Sequence, residues 1–289
     1  MKAFHSNWTK PFFVNHPNDD YFIEDFDLLV GILSALKWKE KNGSIKMYTD
    51  DLGGDYYYKL GLTDIYDLGV EISLEKIVPK SLNPYIFWAG GKLYALREED
   101  TPSLMLDLDF IIWESISDEV ANQDVCIAHR ELLEGITYPN YEKFKGLYPY
   151  DYDDDWDWKE NPCNTALAYF ADKELKDYFV RESIKFMNQD FRLYKNHWDR
   201  VIAMVFAEQR LLAMCAKKKG IKIGNFISNN MDKNNYCKYT HIWGYKNKLL
   251  QSEHKREEFC KDCVNVILRD FPSMYDILCN ISSIQKYLI

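Results

Sequence analysis

Long apolar segments and dense basic segments are both missing from this sequence. Nowhere do 18 consecutive apolar residues occur, and the first residues contain no charged segment followed by an apolar run, so we predict neither a membrane-spanning helix nor a secretion signal. The 36 basic residues are scattered and are outnumbered by 45 acidic ones, which argues against a nucleic acid as the main partner. We expect a soluble, cytoplasmic protein and leave peripheral contact with a membrane open.

Glycine and proline are also scarce, with 13 and 9 among 289 residues, which excludes collagen-like and low-complexity chains. The hydrophobic content of 47% is that of a globular protein with a sizeable core. Because no internal repeat and no linker rich in Gly, Ser or Pro divides the chain, we predict a single domain over residues 1–289.

The seven cysteines are odd in number and scattered, which fits free thiols in a reducing compartment better than a disulfide framework. The close pair Cys260 and Cys263 has no second pair at zinc-finger spacing. We therefore expect no zinc site at this pair.

Apolar strands alternate with amphipathic helices along the chain. This alternation predicts an α/β fold with a mainly parallel, Rossmann-type sheet flanked by helices, in which ligands bind at the carboxyl ends of the strands. The predicted strands are Lys2–Ser6, Ile45–Thr49, Ile65–Leu68, Ser103–Leu106, Val125–Ala128 and Thr165–Tyr169. One predicted helix begins at the Asp19-Asp20 cap and ends at Gly43, and a second begins at Tyr56 after a turn at 50–55. Further helices are predicted over Pro84–Leu96, after the cap Asp172, over Asp199–Lys219 and over Lys255–Arg269.

Two carboxylates, Asp107 and Asp109, follow the apolar run Ser103–Leu106 and precede Phe110. Residues at i and i+2 of an extended segment point to one side, so both can bind one hard divalent cation, whose coordination a nucleoside diphosphate would complete. Acids at strand ends are commonly just solvated. Here the apolar flanks predict burial, and two buried like charges need a cation or another partner. We therefore predict a metal site at this pair.

The run from Ser103 to Phe110 resembles the D-x-D segment of GT-A glycosyltransferases, and further segments over about residues 1 to 250 follow in the order found in glycogenin-like and capsular-polysaccharide sugar transferases. The end of the first strand resembles the segment beside the nucleotide base, the end of the second resembles the acidic segment beside the base or ribose, and Lys92 resembles a basic residue that approaches the donor. The resemblance implies donor contacts by Phe4, His5, Ser6, Tyr48, Asp50, Lys92, Asp107, Leu108 and Lys246.

The segment from His241 to Lys246 resembles the late H-x-x-G-x-K element of those enzymes. The resemblance implies that His241 joins Asp107 and Asp109 as a metal ligand. Gly244 would allow a close approach of the backbone, and Lys246 would neutralise diphosphate oxygens.

The remaining resemblances concern catalysis. Glu208-Gln209 resembles an acidic-Gln pair of these families, and Asn164 follows Pro162-Cys163 where they carry an acceptor strand, although the usual Gly is missing. The resemblance implies catalytic roles for Glu208, Gln209 and Asn164. A Glu on an amphipathic helix is also typical of a plain polar face, so that alternative stays open.

The implied function is transfer of a sugar from a nucleoside diphosphate donor, with a UDP-sugar expected, to a glycan or other acceptor, assisted by Mn²⁺ or Mg²⁺. Residues to about 130 would form the nucleotide-sugar half of the domain and residues 131–289 the acceptor half. Polysaccharide biosynthesis would be the setting.

An acidic and aromatic stretch over Tyr138–Glu160 shows little periodicity and is predicted to be a long loop. Trp156 and Trp158 lie at i and i+2, so two rings on one side could stack on a saccharide acceptor. A solvated acidic loop is the alternative interpretation.

Three other functions compete with glycosyl transfer. A haloacid-dehalogenase-like phosphatase would carry its aspartate pair earlier and a later Gly-Asp, and a nucleotidyltransferase would need a Gly-rich basic loop near the first strand; neither pattern is present. A non-catalytic carbohydrate- or partner-binding protein on the same fold remains the alternative, since abundant Tyr and Trp would suffice for it.

Overall fold

The computed structural model describes residues 1–133, 136–189, 197–227 and 238–288, and the statements below refer to these residues. A seven-stranded sheet has the order β3-β2-β1-β4-β7-β6-β8, and a separate two-stranded ribbon pairs β5 with β9. The strands are β1 Lys2–Asn7, β2 Ser44–Thr49, β3 Val70–Ile72, β4 Ser103–Leu106, β5 Phe110–Ile112, β6 Val125–Arg130, β7 Cys163–Phe170, β8 Ile223–Asn225 and β9 Tyr239–His241.

In the large sheet β7 alone runs against its neighbours. β1 is parallel to β2 and β4, β2 is parallel to β3, and β6 is parallel to β8, whereas β7 is antiparallel to both β4 and β6. The predicted α/β architecture with a mainly parallel sheet flanked by helices is confirmed. The prediction of one domain with a donor half and an acceptor half stays a prediction.

Helices cover both faces of the sheet and bury two apolar layers. They are α1 Phe12–Asn15, α2 Asp25–Lys41, α3 Asp51–Lys59, α4 Leu74–Ile77, α5 Gly90–Glu98, α6 Ser117–Val120, α7 Tyr141–Leu147, α8 Lys173–Met187, α9 His197–Val205, α10 Leu211–Lys219, α11 Lys246–Gln251, α12 Glu253–Asp270, α13 Tyr275–Cys279 and α14 Ser282–Gln285. A π-helical turn at Phe206–Arg210 joins α9 to α10. One face carries α2 and α12, and the other carries α5, α8 and α10.

Several predicted boundaries were wrong. Asp50 caps α3 directly by accepting a hydrogen bond from the Gly53 N–H, so the expected turn at 50–55 is already helix. The segment at 65–68 is not a strand, because β3 begins at Val70. Helix α2 begins at Asp25 rather than at Asp19-Asp20, and α5 begins at Gly90 rather than at Pro84. Part of the expected loop at 138–160 is the helix α7.

The described cysteines are all free thiols, whereas Cys237 lies outside the described residues. Cys260 and Cys263 both face the core from α12. Within the described ranges, none of the helices has the length and apolarity needed to cross a membrane.

Candidate active site

The two aspartates of the D-x-D segment lie where the chain leaves the sheet. The Asp107 N–H donates to the carbonyl of Ala166 on β7 at 2.8 Å, which extends the β4–β7 pairing by one residue. The chain then turns, and the Phe110 N–H donates to the Asp107 carbonyl at 3.1 Å. Both carboxylates therefore lie at the carboxyl end of β4, the edge at which α/β sheets bind ligands.

The ribbon formed by β5 and β9 brings His241 to this pair. Phe110 pairs with His241 in the ribbon, and the ligand atoms of Asp107, Asp109 and His241 all lie within 4.8 Å of one another. His241 Nε2 is 3.6 Å from Asp109 Oδ1 and, among the described residues, has no hydrogen-bond partner although it is buried. Two carboxylates and an unpartnered imidazole nitrogen form a donor set that fits Mn²⁺ or Mg²⁺.

Lys246, at the start of α11, joins Asp109 to α2. Its Nζ is 2.9 Å from Asp109 Oδ2 and 3.0 Å from Asp27 Oδ1. Burial raises the pKa of Asp27, and the nearby Lys246 opposes this effect only in part, so the pKa lies above its usual value. Burial would also raise the pKa of Asp109, but His241 and Lys246 outweigh it and hold this pKa below its usual value. Asp109 is therefore ionised at neutral pH.

Lys92 forms ion pairs with Asp107 and Glu208, as Lys246 does with Asp109 and Asp27. Its Nζ is 2.7 Å from Asp107 Oδ1 and 2.5 Å from Glu208 Oε1, and the Thr165 hydroxyl donates to the same Glu208 oxygen. Burial alone would lower the pKa of Lys92, but Asp107 and Glu208 overcome it and raise the pKa. Burial raises the pKa of Asp107, and Lys92 opposes the rise only in part.

The charges of this cluster do not cancel. Four carboxylates (Asp27, Asp107, Asp109 and Glu208) face two ammonium groups (Lys92 and Lys246), so two negative charges remain when all are ionised. Uncompensated charge is costly at low exposure. A divalent cation would balance it, which agrees with the donor set found at Asp107, Asp109 and His241.

A cavity of about 310 Å³ opens beside the cluster. Asp27, Asp109 and Lys246 form a charged end of the cavity, and most of the remaining lining is aromatic, with Asn7, Ile23, Glu24, Gly31 and Leu108 between the rings. The aromatic lining consists of Trp8, Phe12, His16, Tyr21, Phe22 and Tyr57. Aromatic walls next to a charged end suit a ligand with one flat, apolar part and one anionic part.

Most of the residues predicted to contact the nucleotide base are not brought to this cavity. Phe4 and Tyr48 pack in the core, and the Tyr48 hydroxyl donates to Glu99 at 2.6 Å. His5 is fully buried on the opposite face, with Nε2 3.1 Å from Ser34 Oγ and Nδ1 3.3 Å from the Tyr66 hydroxyl. Ser6 is half-buried and does not line the cavity. These side chains lie away from the cavity because helices cover both faces of β1 and β2, whereas Asn7, at the end of β1, does line the cavity.

Both carboxylate oxygens of Asp50 accept hydrogen bonds within the fold. Besides capping α3, its carboxylate accepts hydrogen bonds from the Thr9 N–H at 2.9 Å and the Thr9 hydroxyl at 2.8 Å. The cavity receives Asn7 and Trp8 instead, the residues immediately after the predicted contacts. Of the predicted donor contacts, Leu108 and Lys246 line the cavity.

The predicted catalytic residues are separated into two groups. Glu208 belongs to the Lys92 cluster, whereas Gln209 points elsewhere and accepts a hydrogen bond from the Tyr138 hydroxyl at 2.5 Å. The Asn164 amide donates to Glu131 at 2.8 Å and accepts from the Ala166 N–H at 3.1 Å.

The acidic aromatic stretch does not form an exposed pair of rings. Trp156 is buried and donates to the Tyr178 hydroxyl at 3.1 Å, and Trp158 stacks on Phe206 with ring centroids 5.6 Å apart. The expectation of a stacking platform for an acceptor is therefore wrong, because both indoles are used in packing.

Sequence reasoning missed Asp27, which pairs with Lys246, and the aromatic lining of the cavity. Asp27 lies in the first turn of α2, where acids are common for helix-dipole reasons, so the sequence offered no signal for its pairing with Lys246. The density of rings between Trp8 and Phe22 was a signal that could have been used.

Comparison with solved structures gives similarities at low sequence identity. The apo form of mouse xyloside xylosyltransferase 1 is similar over 83% of this chain and 97% of its own, with 10% identity and a TM-score of 0.37. Glycosyltransferase GlyE of Streptococcus pneumoniae TIGR4 is similar over 72% of this chain and 44% of its own, with 9% identity and a TM-score of 0.35. Galactosyltransferase LgtC, in complex with donor and acceptor sugar analogs, is similar over 71% of this chain and 70% of its own, with 8% identity and a TM-score of 0.36.

No curated protein matches the sequence. A family model does, over residues 1–281, and its description is "Family of unknown function (DUF6734)". The chain therefore belongs to the DUF6734 family.

Proposed function

We propose that this protein is a metal-dependent glycosyltransferase that uses a nucleoside diphosphate sugar, with a UDP-sugar as the expected donor and a glycan as the acceptor. The observation that carries the proposal is the convergence of Asp107, Asp109 and His241 at the carboxyl edge of the sheet, within 4.8 Å of one another and next to an aromatic cavity. The sequence resemblance to GT-A enzymes supports the same assignment.

The cavity and the charged cluster together match the parts of such a donor. The base would stack among the aromatic rings around Trp8 and Tyr21, and the diphosphate would lie at the charged end near Asp109 and Lys246. Asp107, Asp109 and His241 would hold Mn²⁺ or Mg²⁺, which supplies neutralisation of the charge that develops on the leaving diphosphate. Lys246 adds a fixed positive charge at the same end.

The sugar would then lie toward Lys92, on the Asp107 side of the cluster. Glu208 is not a free base there, because it accepts from both Lys92 and Thr165 and only 7% of its side chain is exposed. We assign Glu208 a positioning role instead. It holds the Lys92 ammonium group in place, so that Lys92 donates a hydrogen bond to Asp107. This role differs from the catalytic role expected from the sequence.

The proposal is tested by measuring release of nucleoside diphosphate from a panel of nucleotide sugars with and without Mn²⁺. We expect release from one donor class, dependence on Mn²⁺, and a loss of about 100-fold or more in Asp109→Asn, since a catalytic metal contributes several kcal/mol. Asp118→Asn, which changes an exposed acid on α6, is the matched control and should retain wild-type activity. Donor binding without any release would favour the non-catalytic binding protein, and neither binding nor release from any donor would refute the proposal.

A further inference from the structure

A second carboxylate group lies at the same edge of the sheet and is not used by the donor cluster. Glu131 follows β6, and its N–H donates to the carbonyl of Pro162 just before β7 at 2.8 Å. Its Oε1 accepts hydrogen bonds from Asn164 Nδ2 at 2.8 Å and from His129 Nε2 at 3.1 Å. Two donors on adjacent strands therefore fix one oxygen of this carboxylate.

Ala166 connects this group to the metal site. Its carbonyl accepts from the Asp107 N–H at 2.8 Å, and its own N–H donates to Asn164 Oδ1 at 3.1 Å. The orientation of the Asn164 amide is thereby set, because its oxygen faces Ala166 and its nitrogen faces Glu131. Glu131 is thus held in a defined place relative to Asp107.

The electrostatics agree with this placement. The hydrogen bond with His129 lowers the pKa of Glu131, burial opposes that effect, and Asn164 and His241 lower the pKa further.

The second oxygen of Glu131 is available for a ligand. Across the described part of the chain, no residue hydrogen-bonds to Oε2, and 32% of the side chain is exposed. Glu208 provides the contrast, since its side chain is 7% exposed and already accepts from Lys92 and Thr165. Of these two acids beside the cluster, Glu131 is the one that faces solvent.

We propose that Glu131 is the acceptor-binding residue: Oε2 accepts a hydrogen bond from a hydroxyl group of a saccharide acceptor and orients it toward the metal site, with His129 and Asn164 as positioning residues. This inference rests on the proposed glycosyl transfer. An ionised carboxylate with one oxygen fixed and one free recognises a polyhydroxylated ligand without rearranging, which reduces the entropic cost of binding.

The test uses Glu131→Gln, which keeps the size of the side chain. Because His129 and Asn164 both donate, the Gln oxygen should take the place of Oε1, and its NH₂ group would then stand where the acceptor hydroxyl needs an oxygen. The protein is applied with UDP and Mn²⁺ to an array of immobilised oligosaccharides. The oligosaccharide that binds best to the wild type then serves as acceptor in the transfer assay.

We expect Glu131→Gln to lose binding to that oligosaccharide and to raise its KM by about tenfold or more, since a hydrogen bond to a charged group contributes a factor of this order. The affinity for UDP with Mn²⁺ and the melting temperature should stay at wild-type values. Glu119→Gln is the matched control, because Glu119 has a similarly exposed side chain (30%) and pairs with Lys238.

The possible failures can be told apart. An unchanged KM in Glu131→Gln, or a wild type that binds UDP with Mn²⁺ but no oligosaccharide, overturns the acceptor assignment and leaves the donor site standing. A wild type that binds no nucleoside diphosphate and releases none overturns the proposed function and this assignment with it. A loss of UDP affinity in Glu131→Gln assigns the residue to the donor site and equally refutes the inference.

Discussion

At the scale of single residues, the site depends on two lysines, Lys92 and Lys246, each of which forms ion pairs with two carboxylates. Lys92 lies between Asp107 and Glu208, and its side chain is only 9% exposed. Removing one partner of a buried ionic group leaves the others uncompensated, which is more costly than the pair itself is stabilising.

We expect Lys92→Met to lower the free energy of unfolding by about 3–5 kcal/mol. Lys217→Met is the control: Lys217 also pairs with a glutamate, Glu160, but is 56% exposed, so its removal should leave the unfolding midpoint close to that of the wild type. Urea unfolding at pH 7 measures both. Equal midpoints for the two variants would contradict the account of the cluster.

A second residue-scale expectation concerns His5, which is fully buried between Ser34 and Tyr66. Burial lowers its pKa to about 3, with Asp109 opposing the shift slightly. The unfolded chain, with a His pKa of about 6.5, therefore binds more protons than the folded protein between pH 6.5 and 3, and stability falls as the pH drops through this window.

Below about pH 6, His5 should contribute a loss approaching about 1.4 kcal/mol per pH unit, and His5→Gln should remove that part of the slope. Urea unfolding at pH 7, 6, 5 and 4.5 measures the slopes, and His254→Gln controls for removal of an exposed imidazole. If His5→Gln kept the full wild-type slope, the neutral buried imidazole would be excluded.

The sequence was informative where spacing alone fixes geometry. Asp107 and Asp109, at i and i+2 after a buried strand, do meet in the structure, and so do His241 and Lys246, which the resemblance to GT-A enzymes implied. Phe4 and His5 lie in the core and not at the cavity, which the sequence did not indicate because the depth of a strand residue below the sheet edge depends on where the helices pack. The pairing of Lys246 with Asp27 is a long-range contact with no local pattern.

At the scale of secondary structure elements, helix α5 must approach Trp8 closely to bring Lys92 to the cluster. A Cβ atom on Gly91 would lie 2.7 Å from Trp8 Cβ, whereas a Cβ atom on Gly146 in α7 would meet nothing within 4 Å. The two helical glycines therefore form a matched pair.

We expect Gly91→Ala to destabilise the protein by about 1–3 kcal/mol through overpacking and to weaken UDP binding, because Trp8 lines the cavity. Gly146→Ala should be neutral or stabilise by up to about 1 kcal/mol, as a glycine removed from a helix. Thermal unfolding and calorimetric titration of UDP measure the two effects. Wild-type UDP affinity in Gly91→Ala would show that α5 does not shape the donor cavity.

The loop between β9 and α11 offers an optical test. Trp243 lies two residues after His241, is 75% exposed, and its ring contacts none of the described aromatic side chains. If UDP and Mn²⁺ bind beside His241, the emission of this indole should change on binding, and Trp243→Phe should lose most of that change. A binding signal of the same size in Trp243→Phe would place the ligand away from this loop.

Element types were predictable where one face is apolar and caps are strong. Asp172 does cap α8, accepting from the Leu175 N–H at 2.7 Å, and Gly220 ends α10 with a positive φ of 68°. The π-helical turn that aims Glu208 at Lys92 was not predictable, because it depends on packing against α8 and β7 and not on a local signal.

At the scale of the whole molecule, the order of the strands explains why the site lies where it does. β1 and β4 are adjacent at the centre of the sheet, and the antiparallel β7 brings Ala166, Asn164 and Thr165 beside the end of β4. β7 is buried along almost its whole length, as the neighbouring β4 is, so its sequence resembles that of a parallel strand and did not reveal its direction. Because β7 is antiparallel to both β4 and β6, these two strands end at the same edge of the sheet, and Glu131, which follows β6, lies at that edge.

The central claim is that Asp107, Asp109 and His241 bind a divalent cation together with a nucleoside diphosphate. The most direct measurement is the electron paramagnetic resonance signal of free Mn²⁺, titrated against the protein with UDP present. We expect the wild type to remove about one Mn²⁺ per chain from solution, and Asp109→Asn to leave the free signal unchanged while its melting temperature stays near that of the wild type. A wild type that leaves the free Mn²⁺ signal intact, or an Asp109→Asn variant that removes as much Mn²⁺ as the wild type, would contradict the account.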